Sequence, residues 1–191
     1  MRMMGRRASG LAVTGTLAML LSACAGGNVR PVSDTPVKIG KPYSVRGNTY
    51  VPQADPDYDM LGYASWYGSE SGNVTASGER FRPEWITAAH RTLPLPTYAE
   101  VTALDTGRRI LVRINDRGPF GASKRIIDLS RGAAELLGVR AQGLARVRVQ
   151  RVEPSRKDRD RLRSGKKPRA LDPVSGRVLR NLRAQFSASG M

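Results

Sequence analysis

Apolar and polar residues alternate with a period of two through most of residues 61–152, the spacing that a half-buried β-strand requires. In Arg109 to Ile114, the residues Ile110, Val112 and Ile114 share one face. In Ala145 to Val149, the residues Ala145, Val147 and Val149 face one way while Arg146 and Arg148 face the other. Tyr98–Leu104 and Ile126–Leu129 read as further strands, and Asp105-Thr106-Gly107 reads as a hairpin turn between two of them. The period changes once. Ser130 is a good N-cap, Ala133, Ala134, Leu136 and Leu137 form a helical stripe, and Gly138 is a stop. Five or six short strands and one short helix predict a mainly β domain closed into a small barrel.

The flanks read differently. Residues 1–23 carry Arg2, Arg6 and Arg7, then an apolar run from about Leu11 to Leu21 and small residues, the layout of a secretory signal peptide. The run is shorter than the ~20 apolar residues of a spanning helix. Residues 24–60 are rich in Pro, Gly, Asp and Ser and read as a tether, with Gly40-Lys41-Pro42-Tyr43 and Tyr50-Val51-Pro52 as points that dock on the domain. Residues 153–191 include a charged block from Arg156 to Arg169, which predicts a basic disordered tail with one short amphipathic turn at Val178, Leu179 and Leu182.

The net charge of +16 falls mainly on the barrel and the tail: fourteen basic against eight acidic residues over 61–152, and eleven against four over 153–191. Such a surface attracts polyanions of any kind. Cys24 narrows the choice. It is the only Cys, so no intrachain disulfide and no Cys-based metal site is available. Leu21-Ser22-Ala23-Cys24 resembles the bacterial lipobox, which implies a lipidated first mature residue and a membrane anchor of two or more acyl chains. Ala25 after the Cys resembles lipoproteins sorted to the outer membrane. An exported, periplasm-facing chain has no nucleic-acid partner, and a monomer is expected.

Three ionisable residues lie in turn-rich contexts, where scaffolded sites concentrate: Glu79 in Thr75–Phe81, His90 in Ile86–Pro94, and Asp116 in Asn115–Phe120. Each has an ordinary structural reading as well: a turn aspartate, a solvated glutamate, a strand histidine. No GxSxG elbow, P-loop or His-rich cluster is present, and no cofactor or metal is expected.

The motifs Gly62-Tyr63-Ala64-Ser65-Trp66-Tyr67-Gly68, Thr75-Ala76-Ser77-Gly78-Glu79, Thr87-Ala88-Ala89-His90, Leu93-Pro94, Asn115-Asp116-Arg117-Gly118-Pro119-Phe120 and Ile127-Asp128-Leu129-Ser130 resemble the rare lipoprotein A (RlpA) family in order and spacing. The resemblance implies a six-stranded double-psi β-barrel, as in barwin and expansin domains. It also implies endolytic peptidoglycan transglycosylase activity on strands stripped of stem peptides, with Glu79, His90 and Asp116 as the implicated residues. Two features depart from the pattern. Ser69 to Gly72 stand where many members carry Phe-His-Gly, and no sporulation-related peptidoglycan-binding domain follows the barrel.

On this reading Asp116 is the general acid and base, with a pKa raised by desolvation and with the Arg117 side chain turned away from it. Glu79 stabilises an oxocarbenium-like charge or positions Asp116, and His90 orients a carboxylate or a sugar hydroxyl. Trp66 and Tyr67 stack on sugar faces, one of the two being core because strand neighbours point to opposite sides, and Arg117 is counted with them as a substrate contact. The alternatives are a non-catalytic glycan-binding or wall-loosening module, and an envelope protein tethered to the wall by its basic tail.

Overall fold

The computed structural model describes residues 29–68, 72–121 and 124–190. Cys24 and the leader region lie outside the described residues. Eight strands form. The first two, β1 (Tyr43–Val45) and β2 (Asn48–Tyr50), make a small hairpin. The other six close the barrel: β3 (Asp59–Tyr67), β4 (Thr87–Ala89), β5 (Thr97–Ala103), β6 (Arg109–Asp116), β7 (Arg125–Ser130) and β8 (Ala145–Arg151). Their order around the barrel is β3-β7-β4-β6-β5-β8. The β3/β7 and β4/β6 pairs are parallel and the remaining four are antiparallel. Closure removes the free sheet edges that an open six-stranded sheet would expose.

The predicted faces hold. Ile110, Val112, Ile114, Val147 and Val149 belong to one buried core with Ile127 and Leu129. In β6 both faces are covered, because α2 (Arg156–Arg163) packs on the barrel there. Helix α1 (Arg131–Leu137) starts where expected. The Ser130 side chain accepts from the Ala133 N–H, and Gly138 ends the helix at φ 83°, a conformation that costs glycine little. Gly132 has no room for a side chain, since a Cβ there would lie 2.1 Å from the Glu84 carbonyl oxygen.

The expectation of disordered flanks is corrected. Residues 153–190 carry α2 and α3 (Gly176–Ala188), capped by Ser155 and Ser175, whose side chains accept from the Asp158 and Val178 N–H groups. Few apolar residues suffice because they are spaced for one face. Leu162 joins the main core, and Leu182 and Phe186, four residues apart, close over Leu104, with Phe186 edge-on to Tyr63. The tether is likewise docked from residue 29 onward. Arg30 pairs with Glu79 and Lys38 with Leu95 as isolated bridges, and Tyr43 and Tyr50 pack on Phe120.

Candidate active site

Glu79 and Asp116 flank the same short loop. The Asn115 side chain donates to Glu79 at 2.8 Å, and the Ala76 N–H donates to Asp116 Oδ1 at 2.8 Å. Beyond that the two carboxylates differ. Glu79 is buried, and Arg113 grips it with two bonds of 2.7 and 2.8 Å. Arg113 is itself 1% exposed and also donates to Asp34 Oδ1 at 3.0 Å and to the Ser33 carbonyl at 2.7 Å. Glu79 is therefore a member of a neutralised cluster. Glu79 holds the 75–79 loop and is linked to Asp116 through Asn115 and Ala76.

Asp116 closes β6 and is half-buried. Its Oδ1 accepts from the Ala76 and Arg117 N–H groups, both at 2.8 Å. Burial pushes its pKa up, against those two donors and the Arg117 charge. The Arg117 guanidinium is turned away, as the chemistry requires. It donates to the His90, Leu93 and Ile39 carbonyls. Arg117 thus ties the 90–93 loop to the N-terminal segment. It also lines a half-open cavity of about 290 Å³ that includes Ala76, Ser77, Glu79, Arg30 and Lys38, so it remains within reach of a ligand there.

His90 does not orient a carboxylate. Its main-chain N–H pairs with the Asp116 carbonyl, but the ring lies buried against Tyr58. Nδ1 accepts from the Thr92 and Leu93 N–H groups at 3.2 and 3.0 Å. Burial, helped by Arg117 and Arg91, lowers its pKa to about 3, so the imidazole is neutral. The two aromatic neighbours on β3 point to opposite sides. Tyr67 is buried, with its ring stacked on Phe81 at 4.9 Å. Trp66 points to the other side, where its indole N–H donates to the Arg140 carbonyl and the Arg140 guanidinium lies over the ring.

One carboxylate escaped the sequence reading. Asp128 on β7 is registered with Ala89 on β4, and Ala89 is registered with Asp116 on β6; on the other side Asp128 is registered with Ser65 on β3. Registered partners point to the same face of a sheet. Ser65, Asp128 and Ala89 therefore form one row across three adjacent strands, and the pairing of Ala89 with Asp116 follows a shift in the β4/β6 register after Ala88. The Ser65 hydroxyl donates to Asp128 at 2.5 Å, and the Arg125 guanidinium donates to the same carboxylate at 3.1 Å. Burial raises the Asp128 pKa in spite of both.

The barrel closed in double-psi order, with a carboxyl group of raised pKa at the end of a strand, defines a class. Residues 59–149 match the family model described as lytic transglycolase. Over those residues the chain is similar to that family, and its fold is a double-psi β-barrel. More narrowly, the same region is similar to proteins named for rare lipoprotein A (RlpA). The endolytic peptidoglycan transglycosylase RlpA of Pseudomonas aeruginosa strain PAO1 is 52% identical over 115 residues, covering 59% of this chain and 33% of that protein. The protein of the same name from Rickettsia felis is 43% identical over 117 residues, 59% of this chain and 51% of that one. The chain thus spans a third to about half the length of these relatives. Among solved structures, a Streptomyces papain inhibitor aligns over 53% of this chain and 100% of its own, with 21% identity and a TM-score of 0.44.

Proposed function

We propose that this chain is a peptidoglycan lytic transglycosylase that cleaves the MurNAc–GlcNAc bond, with Asp116 as its general acid and base. The carrying observation is the placement of Asp116: a half-buried strand-end carboxyl with a raised pKa, held by two main-chain N–H groups while the neighbouring guanidinium is turned elsewhere. A raised pKa moves the carboxyl toward the protonated form that a general acid needs. The acid gives that proton to the bridging glycosidic oxygen as the bond from C1 breaks. Its conjugate base then takes the proton of the same sugar's 6-hydroxyl as that oxygen bonds to C1, closing a 1,6-anhydro ring. No water is consumed and Asp116 ends as it began. The fuller reading includes a preference for strands without stem peptides, attachment through a lipid anchor at Cys24, and a place in the periplasm facing the wall, at the outer membrane. The relatives' names and the motif match support the activity.

The test is incubation of the protein with peptide-free glycan followed by mass spectrometry. Anhydro-ended products are expected from the unaltered chain. Asp116→Asn should release none while still sedimenting with the glycan. Binding without any anhydro product from the unaltered chain overturns the enzyme in favour of a glycan-binding module.

A further inference from the structure

We infer that the cavity beside Asp116 is a carboxylate subsite, in which Arg30, Lys38 and Arg117 take the free lactyl carboxylate of MurNAc; the inference rests on the transglycosylase reading for its substrate. The cavity, of about 290 Å³, lies between the N-terminal segment and the barrel. Arg30 and Lys38 come from the segment, and Ala76, Ser77 and Arg117 from the barrel loops. The Ala76 N–H bonds the Asp116 carboxylate, and Arg117 follows Asp116 in the chain, so the cavity wall begins one residue from the acid.

The cavity carries an uncancelled positive charge. Among the described residues that line it, Glu79 is the one acid, and its carboxylate is taken up by Arg113 and Asn115. Behind it, Asp34 pairs with Arg113 and Arg163. Two acids are thus matched by two guanidiniums, and Arg30, Lys38 and Arg117 are left over. Among the described residues neither Arg30 nor Lys38 has an acidic partner, and Arg117 bonds three carbonyl oxygens, which do not neutralise it. Pro31, Pro36 and Pro96 add apolar wall, and low-dielectric walls focus the field of like charges into a cleft.

The segment that carries two of these cations is fixed to the barrel by its main chain. The Arg30 N–H donates to the Gly78 carbonyl at 2.7 Å, and Lys38 and Leu95 exchange two bonds of 2.8 Å. Gly78 gives the Arg30 stem its place, since a Cβ there would lie 3.0 Å from Arg30 Cδ. The proposed substrate offers one matching group. MurNAc bears a lactyl ether on O3, whose carboxyl is free and ionised in a strand without stem peptides and is an uncharged amide where a peptide is attached. Guanidinium and ammonium groups favour the ionised form. The same sugar supplies the bond to be broken and the 6-hydroxyl, so holding its carboxylate beside Asp116 orients both. Arg30 and Lys38 lie outside residues 59–149, so the subsite is built partly from chain beyond the matched domain.

The test measures binding of the full-length chain to peptide-free glycan and to the same glycan with its lactyl carboxyls reduced to alcohols. The unaltered chain should bind the reduced glycan about tenfold more weakly. The double variant Arg30→Gln, Lys38→Gln should bind the two glycans within about twofold of each other. Both side chains are exposed and the segment is held by main-chain bonds, so the fold should survive the change. A second variant separates position from net charge. Arg177→Gln, Arg180→Gln removes two cations from α3, which packs on Leu104 past the far end of β5 from Leu95, and should keep the discrimination of about tenfold. An unaltered chain indifferent to reduction of the carboxyls overturns the inference. So does a double variant at Arg30 and Lys38 that still discriminates in full, or an α3 variant that loses discrimination as well. Cleavage of the same glycans keeps the two readings apart. Carboxylate-dependent binding with no anhydro product overturns the transglycosylase and supports the subsite as part of a glycan-binding module. Anhydro products formed equally well from both glycans overturn the subsite and leave Asp116 standing.

Discussion

Glu79 ends the 75–79 loop and Asp116 is bonded to that loop from the end of β6, yet their surroundings make them different kinds of acid. Around Glu79 the fold supplies a fully buried guanidinium, a side-chain amide and, through Arg113, a second carboxylate from the N-terminal segment. Around Asp116 it supplies two main-chain N–H groups, and it sends the nearest guanidinium to three carbonyl oxygens. Charge buried against opposite charge is spent on holding the structure together. A carboxyl desolvated beside neutral donors keeps its proton affinity high and is available for chemistry. Burial alone does not separate the two; the identity of the partner does.

The comparison breaks most visibly at Glu79. Glu79→Ala leaves Arg113 in the interior with only Asp34 and a carbonyl, and should cost about 3–5 kcal/mol in urea unfolding. Combining Glu79→Leu with Arg113→Met should recover most of the loss, since neither charge is then stranded. A loss below about 1 kcal/mol for Glu79→Ala would show that the cluster is not structural.

The next largest effect is at His90. Its folded-state pKa of about 3 lies below the ordinary 6.5. The stability this imidazole contributes is therefore complete above pH 6.5 and drains away as pH falls toward 3, because only the unfolded chain takes up the proton. The slope is at most about 1.4 kcal/mol per pH unit, or about 2–3 kcal/mol lost by pH 4.5. His90→Gln should flatten this decline in urea midpoints measured from pH 7 to 4.5. An unchanged slope would place the acid sensitivity elsewhere.

The barrel was legible because its strands carry the period-two pattern unbroken. Ile110, Val112 and Ile114, then Ala145, Val147 and Val149, are each a buried row, and the Ser130 and Gly138 caps mark α1 to the residue. The tails were not legible, since charge density hides the few residues that anchor them: Leu162, Leu182 and Phe186 are scattered among fifteen charged neighbours over residues 153–191. At the site, Asp116 stood out by ending the strongest strand. Glu79 and His90 were found as residue types, but the partners that hold them were not. The partner of Glu79 is Arg113, 34 positions away in a strand where an arginine reads as solvent-facing, and the ring of His90 bonds to main-chain groups with no sequence signal. Asp128 was hidden by its own strand. Ile127-Asp128-Leu129 is ordinary alternation, and only the Ser65 and Arg125 donors from outside that run show what the polar position faces.

Two smaller effects sharpen the contrast. Asp34 is the outer partner of Arg113 and also accepts from the Tyr98 hydroxyl at 2.8 Å. Asp34→Ala should cost about 1–2 kcal/mol, less than Glu79→Ala because its side chain is 17% exposed and water can replace it.

The smallest change in stability is expected where the change in chemistry is greatest. Asp116→Asn keeps an acceptor oxygen for the Ala76 and Arg117 N–H groups and removes only the charge. Burial already disfavours that charge in the folded state, as the raised pKa records. At pH 7 the substitution should therefore shift unfolding by less than about 1 kcal/mol in either direction, while at pH 3, where the carboxyl is protonated, variant and unaltered chain should converge. A loss near 3 kcal/mol at pH 7 would put Asp116 in the same structural role as Glu79, and the raised pKa would then mark a strained support and not an acid held ready.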